Sequence, residues 1–178
     1  MESPDSDKEP KPDENAIPKE LFSDYEERPF HTCTRCGETL ADFLEGYQVA
    51  KVIKRGETIF EYAICSHCHS GMIEEFSEET REALEVFYAE NMTTGLGLCT
   101  CGVCGIDRED DSVQEFTIAA ICQSLSTVDT LMLCSDCTDR TNDLISQQTR
   151  DVWRRFVDEN FPGVPSDAQP SPTRVPVF

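Results

Sequence analysis

The sequence predicts a small α+β protein built from two tandem copies of one module, with a disordered segment at each end. Three observations support this prediction. Cysteine pairs recur four times, other residues recur at a fixed offset, and all ten prolines lie outside residues 30–161. Because proline interrupts both helices and sheets, its absence there marks residues 30–161 as the folded region.

The two ends have the composition of disordered segments. Residues 1–29 carry ten acidic and four basic side chains, and residues 162–178 hold five of the ten prolines. Such segments bury too little apolar surface to offset the entropy lost on ordering, so we expect both to be disordered. The apolar sequence VPVF at residues 175–178 could still dock in extended form into a groove on a partner.

The folded region is duplicated. Each copy contains one Cys-x-x-Cys pair and a second pair 28 or 29 residues later: Cys33 and Cys36 with Cys65 and Cys68, then Cys101 and Cys104 with Cys134 and Cys137. Six further residues recur 69 positions later: Ser77, Thr80, Arg81, Phe87, Glu90 and Asn91 as Ser146, Thr149, Arg150, Phe156, Glu159 and Asn160. A common offset predicts two modules, residues 30–92 and 99–161, joined by a linker at residues 93–98.

Each module begins with a turn and a β-hairpin. A glycine follows the first cysteine pair in both copies, at Gly37 and Gly105, and permits a tight turn that aims backbone N–H groups at sulfur. Strand-like runs come next, at residues 47–53 and 58–64 in the first copy and at residues 116–122 and 130–133 in the second. A turn containing Gly56 joins the first two runs, and a polar stretch separates the other two.

A helical pattern follows the second cysteine pair of each copy. Ser77 and Ser146 are suited to cap the N-termini of these helices. The inward positions share one helix face, namely Thr80, Leu84, Phe87 and Tyr88 in the first copy and Thr149, Trp153, Phe156 and Val157 in the second. We expect the aromatic side chains of this set to lie mostly in the core.

The cysteine pairs predict a zinc site in each module. A module of about 60 residues buries little apolar surface, so small folds of this size usually need a metal or a disulfide. Four thiolates from two short turns suit tetrahedral Zn²⁺, which contributes about 10–16 kcal/mol to the folding of small zinc fingers. The repeat implies pairing within each copy, so the expected ligands are Cys33, Cys36, Cys65 and Cys68, and Cys101, Cys104, Cys134 and Cys137.

Two alternatives remain at this point. In a cross-braced arrangement, Cys33 and Cys36 would share a metal with Cys101 and Cys104. In the second copy, Cys99 could replace Cys104 as a ligand. Any site closed by four cysteines leaves no position for water or substrate, so it is typical of structural rather than catalytic zinc, and we expect no catalytic residues.

The order of a cysteine turn, a hairpin, and a cysteine pair at the start of a helix resembles the treble-clef zinc fingers. The resemblance covers residues 31–91 and again residues 99–160. It implies tandem treble-clef modules, each closed around one structural Zn²⁺. Treble clefs often bind nucleic acid, but the charge of this chain argues against that use.

The spacing of the cysteine pairs also resembles rubredoxin, which binds iron and carries electrons. The first pair of each copy fits that pattern. The second pairs depart from it, because His69 and Thr138 stand where rubredoxin has glycine and neither pair contains the usual proline. Iron electron transfer is therefore the alternative to zinc.

Two cysteines lie outside the four pairs. Cys122 belongs to an apolar run, where a free cysteine usually behaves as a small buried hydrophobic residue. Cys99 forms a Cys-x-Cys pair with Cys101, and this pair together with the Cys-x-x-Cys pair of Cys134 and Cys137 resembles the zinc switch of a redox-regulated bacterial chaperone. The second module could therefore act as a thiol redox sensor.

All three histidines lie near the first cysteine site. His31 precedes it, His67 lies inside the pair Cys65 and Cys68, and His69 follows that pair. Each could replace a ligand or donate a hydrogen bond to a ligand sulfur, although solvated histidines on a turn are the simpler interpretation. The second copy contains no histidine, so no cysteine–histidine site is common to both.

Charge and composition narrow the possible functions. A net charge of −20 argues against nucleic acid as a partner, and only Arg150, Arg154 and Arg155 are placed to contact an anionic one. The acidic N-terminus does not resemble a secretory signal, and no apolar run approaches the ~20 residues that span a bilayer. Ten cysteines then indicate an intracellular reducing compartment such as the cytoplasm. We expect a non-enzymatic protein that binds another protein, with two Zn²⁺ ions as structural cofactors.

Overall fold

A computed structural model describes residues 13–163 of the chain. It contains four strands and four α-helices: β1 (Tyr47–Lys54), β2 (Glu57–Cys65), α1 (Ser66–Glu75), α2 (Glu78–Asn91), β3 (Glu115–Gln123), β4 (Ser126–Cys134), α3 (Ser135–Asn142) and α4 (Gln147–Asn160). Short 3₁₀ turns lie at Lys19–Leu21 and Leu40–Asp42. The small α+β class predicted from the sequence is confirmed.

Both predicted hairpins are present, and the second is longer than expected. β4 begins at Ser126, within the polar stretch that the sequence analysis placed between strands. Its first residues pair with the end of β3, where Gln123 lies opposite Ser126. Ser126 also forms a bridge with Ala16, so backbone pairing on both sides makes this polar segment a strand.

The two hairpins form one antiparallel sheet with the order β2-β1-β3-β4. β1 and β3 are equivalent strands of the two copies, and they pair along their whole length from Tyr47 opposite Cys122 to Lys54 opposite Glu115. Ala50 pairs with Ala119, its own counterpart 69 residues later. The repeat is therefore related by a local two-fold axis that passes through this pair, perpendicular to the sheet.

The helices of the two copies meet above the sheet on this axis. Ser77 and Ser146 cap α2 and α4, and each side chain accepts a hydrogen bond from the backbone N–H three residues on. Their Oγ atoms lie 2.7 Å apart. Each helix lies against the hairpin of the other copy. Trp153 and Phe156 of α4 pack on Tyr62 of β2, and Leu84 of α2 and Leu131 of β4 line one groove.

The inward faces predicted for the helices are largely observed. Every predicted position of α4 is buried, namely Thr149, Trp153, Phe156 and Val157. In α2, Thr80 and Leu84 are buried, whereas Phe87 and Tyr88 are only half-buried. The two copies therefore differ in how completely their second helix is covered.

The opposite face of the sheet is covered by the segment before the first cysteine pair. Ile17 and Leu21 belong to the hydrophobic core, and Leu21 is fully buried. The N–H of Ile17 donates to the carbonyl of Leu125, which ties this segment to the β3–β4 turn. The expectation of disorder through residue 29 was therefore wrong for residues 13–29, because a few well-placed apolar side chains anchor a segment of polar composition. The expectations for residues 1–12 and 164–178 lie outside the described residues.

A buried lysine lies beneath this segment. The ammonium of Lys51 on β1 donates to the carbonyl of Phe22 at 2.6 Å and to the carboxylate of Asp24 at 2.7 Å. Glu61 on β2 lies 3.3 Å from the same ammonium. The side chain of Lys51 is only 2% exposed, so this cluster joins the N-terminal segment to the sheet through charge.

Within residues 13–163, no helix has the length and apolar character needed to cross a membrane.

Candidate metal centres

A tight turn presents the first cysteine pair of each copy. In the first copy, the N–H of Cys33 donates to the carbonyl of Glu38, and the N–H of Gly37 donates back to Cys33 at 2.9 Å. The second copy repeats both bonds, from Cys101 to Ile106 at 2.8 Å and from Gly105 to Cys101 at 2.9 Å. Both glycines have φ of 76°, which other residues adopt only with strain.

The second cysteine pair of each copy lies where an outer strand passes into a helix. Cys65 ends β2 and caps α1, and its sulfur accepts a hydrogen bond from the N–H of Cys68 at 3.4 Å. Cys134 ends β4 in the same way, and Cys137 lies in the first turn of α3. The strand holds the first sulfur and the helix holds the second, so both are fixed by regular structure.

The four sulfur atoms of each copy converge. Within each group, all ligand atoms lie within 4.8 Å of one another: Cys33, Cys36, Cys65 and Cys68 in one group, and Cys101, Cys104, Cys134 and Cys137 in the other. The Sγ atoms of Cys36 and Cys65 are 4.0 Å apart, and those of Cys104 and Cys134 are 3.7 Å apart.

These separations fit a metal site. A tetrahedral metal with bonds of about 2.3 Å to sulfur places the sulfur atoms about 3.8 Å apart, whereas a disulfide requires about 2.05 Å. Both groups are therefore suited to one tetrahedral ion each, with all four positions supplied by thiolates. The two groups form within copies, so the cross-braced alternative was wrong.

Backbone N–H groups favour the ionised form of one thiol at each site. Burial opposes ionisation of Cys101, but the N–H groups of Cys104, Cys134 and Val103 outweigh it and lower the pKa of Cys101 to about 7. In the first copy, burial is outweighed in the same way at Cys33, whose pKa is also lowered. Each turn therefore supplies one sulfur prepared to bind a cation.

The second cysteine pair of each site has raised rather than lowered pKa values. Burial and the adjacent sulfur atoms raise the pKa of Cys134 to about 11, and they raise the pKa of Cys137 as well. The pKa values of Cys65 and Cys68 are raised for the same reasons. Four negative charges cannot be held this closely without a cation, and a divalent ion removes that repulsion.

One cysteine residue at each site is exposed to solvent. Cys36 and Cys104 are exposed, whereas the first cysteine of each turn and the strand-end cysteine are buried. The sites differ slightly, because Cys68 is half-buried and its counterpart Cys137 is buried.

The three histidines do not join these groups. Among the described residues, neither cluster includes His31, His67 or His69. His31 and His67 are exposed, and His69 is half-buried with a pKa lowered by burial. The geometry therefore supplies ligands from cysteine alone.

The two unpaired cysteines lie outside the clusters. Cys99 is exposed, and the second group is completed by Cys104, so the alternative ligand set containing Cys99 was wrong. Cys122 is fully buried in β3, and burial raises the pKa of its thiol to about 11. It behaves as the small buried hydrophobic residue expected.

The three arginines proposed to face an anionic partner have partners within the protein. Arg150 donates to the carbonyl of Asn142 at 2.7 Å, Arg154 pairs with Asp151, and Arg155 pairs with Glu75. The side chains of Arg154 and Arg155 are 61% and 53% exposed, so they remain accessible.

The sequence analysis missed the Lys51 cluster and an apolar groove between α2 and β4. A lysine inside the apolar run of β1 was a visible signal for the cluster. The groove could have been found by comparing the copies at their offset, since Trp153 corresponds to Leu84 and Phe60 corresponds to Asp129.

Comparison with known proteins finds no matching family model, no matching curated protein and no matching solved structure. The interpretation of both sites therefore rests on their geometry.

Proposed function

We propose that this chain is a non-enzymatic protein with two structural zinc sites, built from two treble-clef-type modules, and that it acts by binding another protein. The observation that carries the zinc assignment is the closure of each site by four cysteine sulfurs at tetrahedral spacing. A site with four protein ligands has no open position for a substrate, which supports a structural role.

Zinc is favoured over iron by the surroundings of the sulfurs as well as by the sequence. Each second pair continues directly into a helix, α1 or α3, as in treble-clef fingers and unlike rubredoxin. The test is elemental analysis with a visible spectrum of the full chain, expressed with both metals available. We expect about two zinc ions per chain and no colour. Iron at that stoichiometry with strong visible absorption would make the protein an electron carrier instead.

An exposed apolar surface supports the binding role. Leu44 is 87% exposed and Val128 is 65% exposed, and both line one shallow groove beside the β3–β4 turn. Leu125 in the same turn is 68% exposed. Large apolar side chains gathered on the surface often mark sites of protein–protein contact.

The binding proposal is tested by affinity capture with the full chain and matched variants. We expect one partner at a stoichiometric level, lost when Leu44→Ser and Val128→Ser are combined. Val86→Ser is the control, because Val86 is 54% exposed but lies on α2, away from this groove. Capture that is absent from the wild type, or equal in all variants, would contradict the assignment of this surface.

A further inference from the structure

The local two-fold axis provides an internal comparison between two equivalent interfaces. In the first, α4 lies over β2, and aromatic rings fill the space between them. Trp153 packs on Phe60 and Tyr62 with ring centroids 6.4 and 5.9 Å apart, and Phe161 lies 4.7 Å from Phe60. Five aromatic rings close this interface: Phe60, Tyr62, Trp153, Phe156 and Phe161.

The second interface lies between α2 and β4 and lacks most of these rings. At the offset of 69 residues, the four aromatic positions that change are Phe60 to Asp129, Tyr62 to Leu131, Trp153 to Leu84 and Phe161 to Met92. Only Phe156 keeps an aromatic counterpart, Phe87, which turns toward Arg140 with the guanidinium 5.2 Å from the ring centroid.

The missing rings leave an open groove of about 800 Å³. Its apolar lining includes Ile73, Phe76, Leu84, Tyr88 and Leu131. Three charged side chains also line it, and two of them are acidic: Arg81, Glu85 and Asp129. The groove therefore suits an apolar segment with an aromatic ring and a basic residue at its flank.

We propose that residues 175–178 of the same chain occupy this groove, with the ring of Phe178 in the space that Trp153 and Phe161 fill in the equivalent interface. These residues read VPVF and supply an apolar run and an aromatic ring, and Arg174 directly before them carries a positive charge complementary to Glu85 and Asp129 of the groove. Pro176 favours the extended backbone that such docking uses.

The chain is long enough to reach. Tyr62, Ala50, Ala119 and Leu131 form one row across the sheet, so the two interfaces are three strand spacings apart, or roughly 14 Å. Eleven residues lie between Gly163 and Val175, and the twelve Cα–Cα steps of an extended chain between them span up to about 40 Å. The segment before residue 13 is a poorer occupant, because residues 1–12 contain no aromatic side chain and are predominantly polar.

This inference is independent of the metal and of the partner proposed above, and it is tested in the full chain by methyl NMR. The reporters are the methyl groups of Leu84, Leu131 and Met92, which line the groove. We expect Phe178→Ala to shift these resonances, because a docked ring changes their magnetic environment. Thr173→Ala is the matched control outside the apolar run and should leave them unchanged. Identical methyl spectra for the wild type and Phe178→Ala would overturn the proposal.

A second variant tests the groove from the other side. Leu84→Trp supplies from α2 the ring that Trp153 supplies in the equivalent interface, so it should displace residues 175–178 from the groove. In the Leu84→Trp background, Phe178→Ala should then leave the methyl resonances of Leu131 and Met92 unchanged. Dilution distinguishes the occupants. Shifts that persist on dilution place the segment on its own chain, whereas shifts that vanish on dilution assign the groove to a second copy and overturn the proposal.

Discussion

The hydroxyls of Ser77 and Ser146 lie 2.7 Å apart, and they are the same residue of the two copies. The contact is reinforced symmetrically. The N–H of Ser77 donates to Thr149 Oγ1 at 3.1 Å, and the N–H of Ser146 donates to Thr80 Oγ1 at 2.9 Å. The junction between the copies is therefore formed by two pairs of recurring residues, Ser77 with Ser146 and Thr80 with Thr149. The N-terminal cap of each helix is completed by hydrogen bonds to the cap of the other helix.

We predict that the two caps are energetically coupled. Ser77→Ala and Ser146→Ala should each lower the free energy of unfolding by about 1 kcal/mol, the usual cost of losing an N-cap side chain. The double variant should depart from additivity by roughly 0.5 kcal/mol or more, because the side chains contact one another. Denaturant unfolding measures this, with Ser70→Ala as the control, because Ser70 is an exposed residue of α1. Strict additivity would show that the caps act separately.

The number of zinc ions per chain should distinguish Cys104, a proposed ligand, from Cys99, which lies outside the cluster. Cys104→Ser should reduce the zinc content from about two ions per chain to about one, because it removes a ligand from one closed site. Cys99→Ser should keep both ions, because Cys99 lies outside the cluster. Elemental analysis of purified full-length variants checks this. Loss of one ion on Cys99→Ser, with both retained on Cys104→Ser, would restore the alternative ligand set.

Zinc binding should release protons and weaken as pH falls. At pH 7 the metal-free protein keeps protons on thiols with raised pKa, such as Cys134 at about 11, whereas Cys101, with a pKa of about 7, is partly ionised. Metal requires thiolates, so binding at pH 7 should release more than one proton per site. Calorimetry in buffers of different ionisation enthalpy measures this release. Affinity that does not change between pH 6 and 8 would contradict thiolate ligation.

Loss of the buried lysine should be costly. Lys51→Met leaves the partly buried carboxylate of Glu61 without its cation, and disruption of a buried pair typically costs about 3–5 kcal/mol. Arg154→Met is the control, since Arg154 and Asp151 are 61% and 57% exposed in their pair and its loss should change stability by about 1 kcal/mol or less. Equal effects in denaturant unfolding would show that burial does not strengthen the Lys51 cluster.

The second copy suggests a rescue of that variant. Ala120 and Thr130 occupy the positions equivalent to Lys51 and Glu61. The double variant Lys51→Ala with Glu61→Thr should therefore recover only part of the stability lost in Lys51→Met, because it removes the unpaired carboxylate but also the acceptor of hydrogen bonds from Ser23 Oγ and the N–H of Asp24. The melting temperatures of the double variant and of Lys51→Met, measured by thermal unfolding, check this.

Much of each metal site was predictable because its determinants are local. Gly37 and Gly105 follow their cysteines directly and form the predicted turns, and Ser77 and Ser146 cap helices as their positions indicated. The differences arose where distant segments meet. Phe87 and Tyr88 have the spacing of a buried face, but the strand facing α2 lacks the large rings that cover α4.

The sequence by itself determined the duplication, the four cysteine pairs, the two hairpins and the capped helices, since each depends on residues close together in the chain or on a fixed period. Only the tertiary structure decided that β1 pairs with β3, that each helix crosses the hairpin of the other copy, and that residues 13–29 cover the back of the sheet. Those choices depend on the fit between surfaces far apart in sequence. That fit depends on side-chain volume, which differs between the equivalent residues Trp153 and Leu84, and on buried charge, as at Lys51. The local sequence pattern encodes neither.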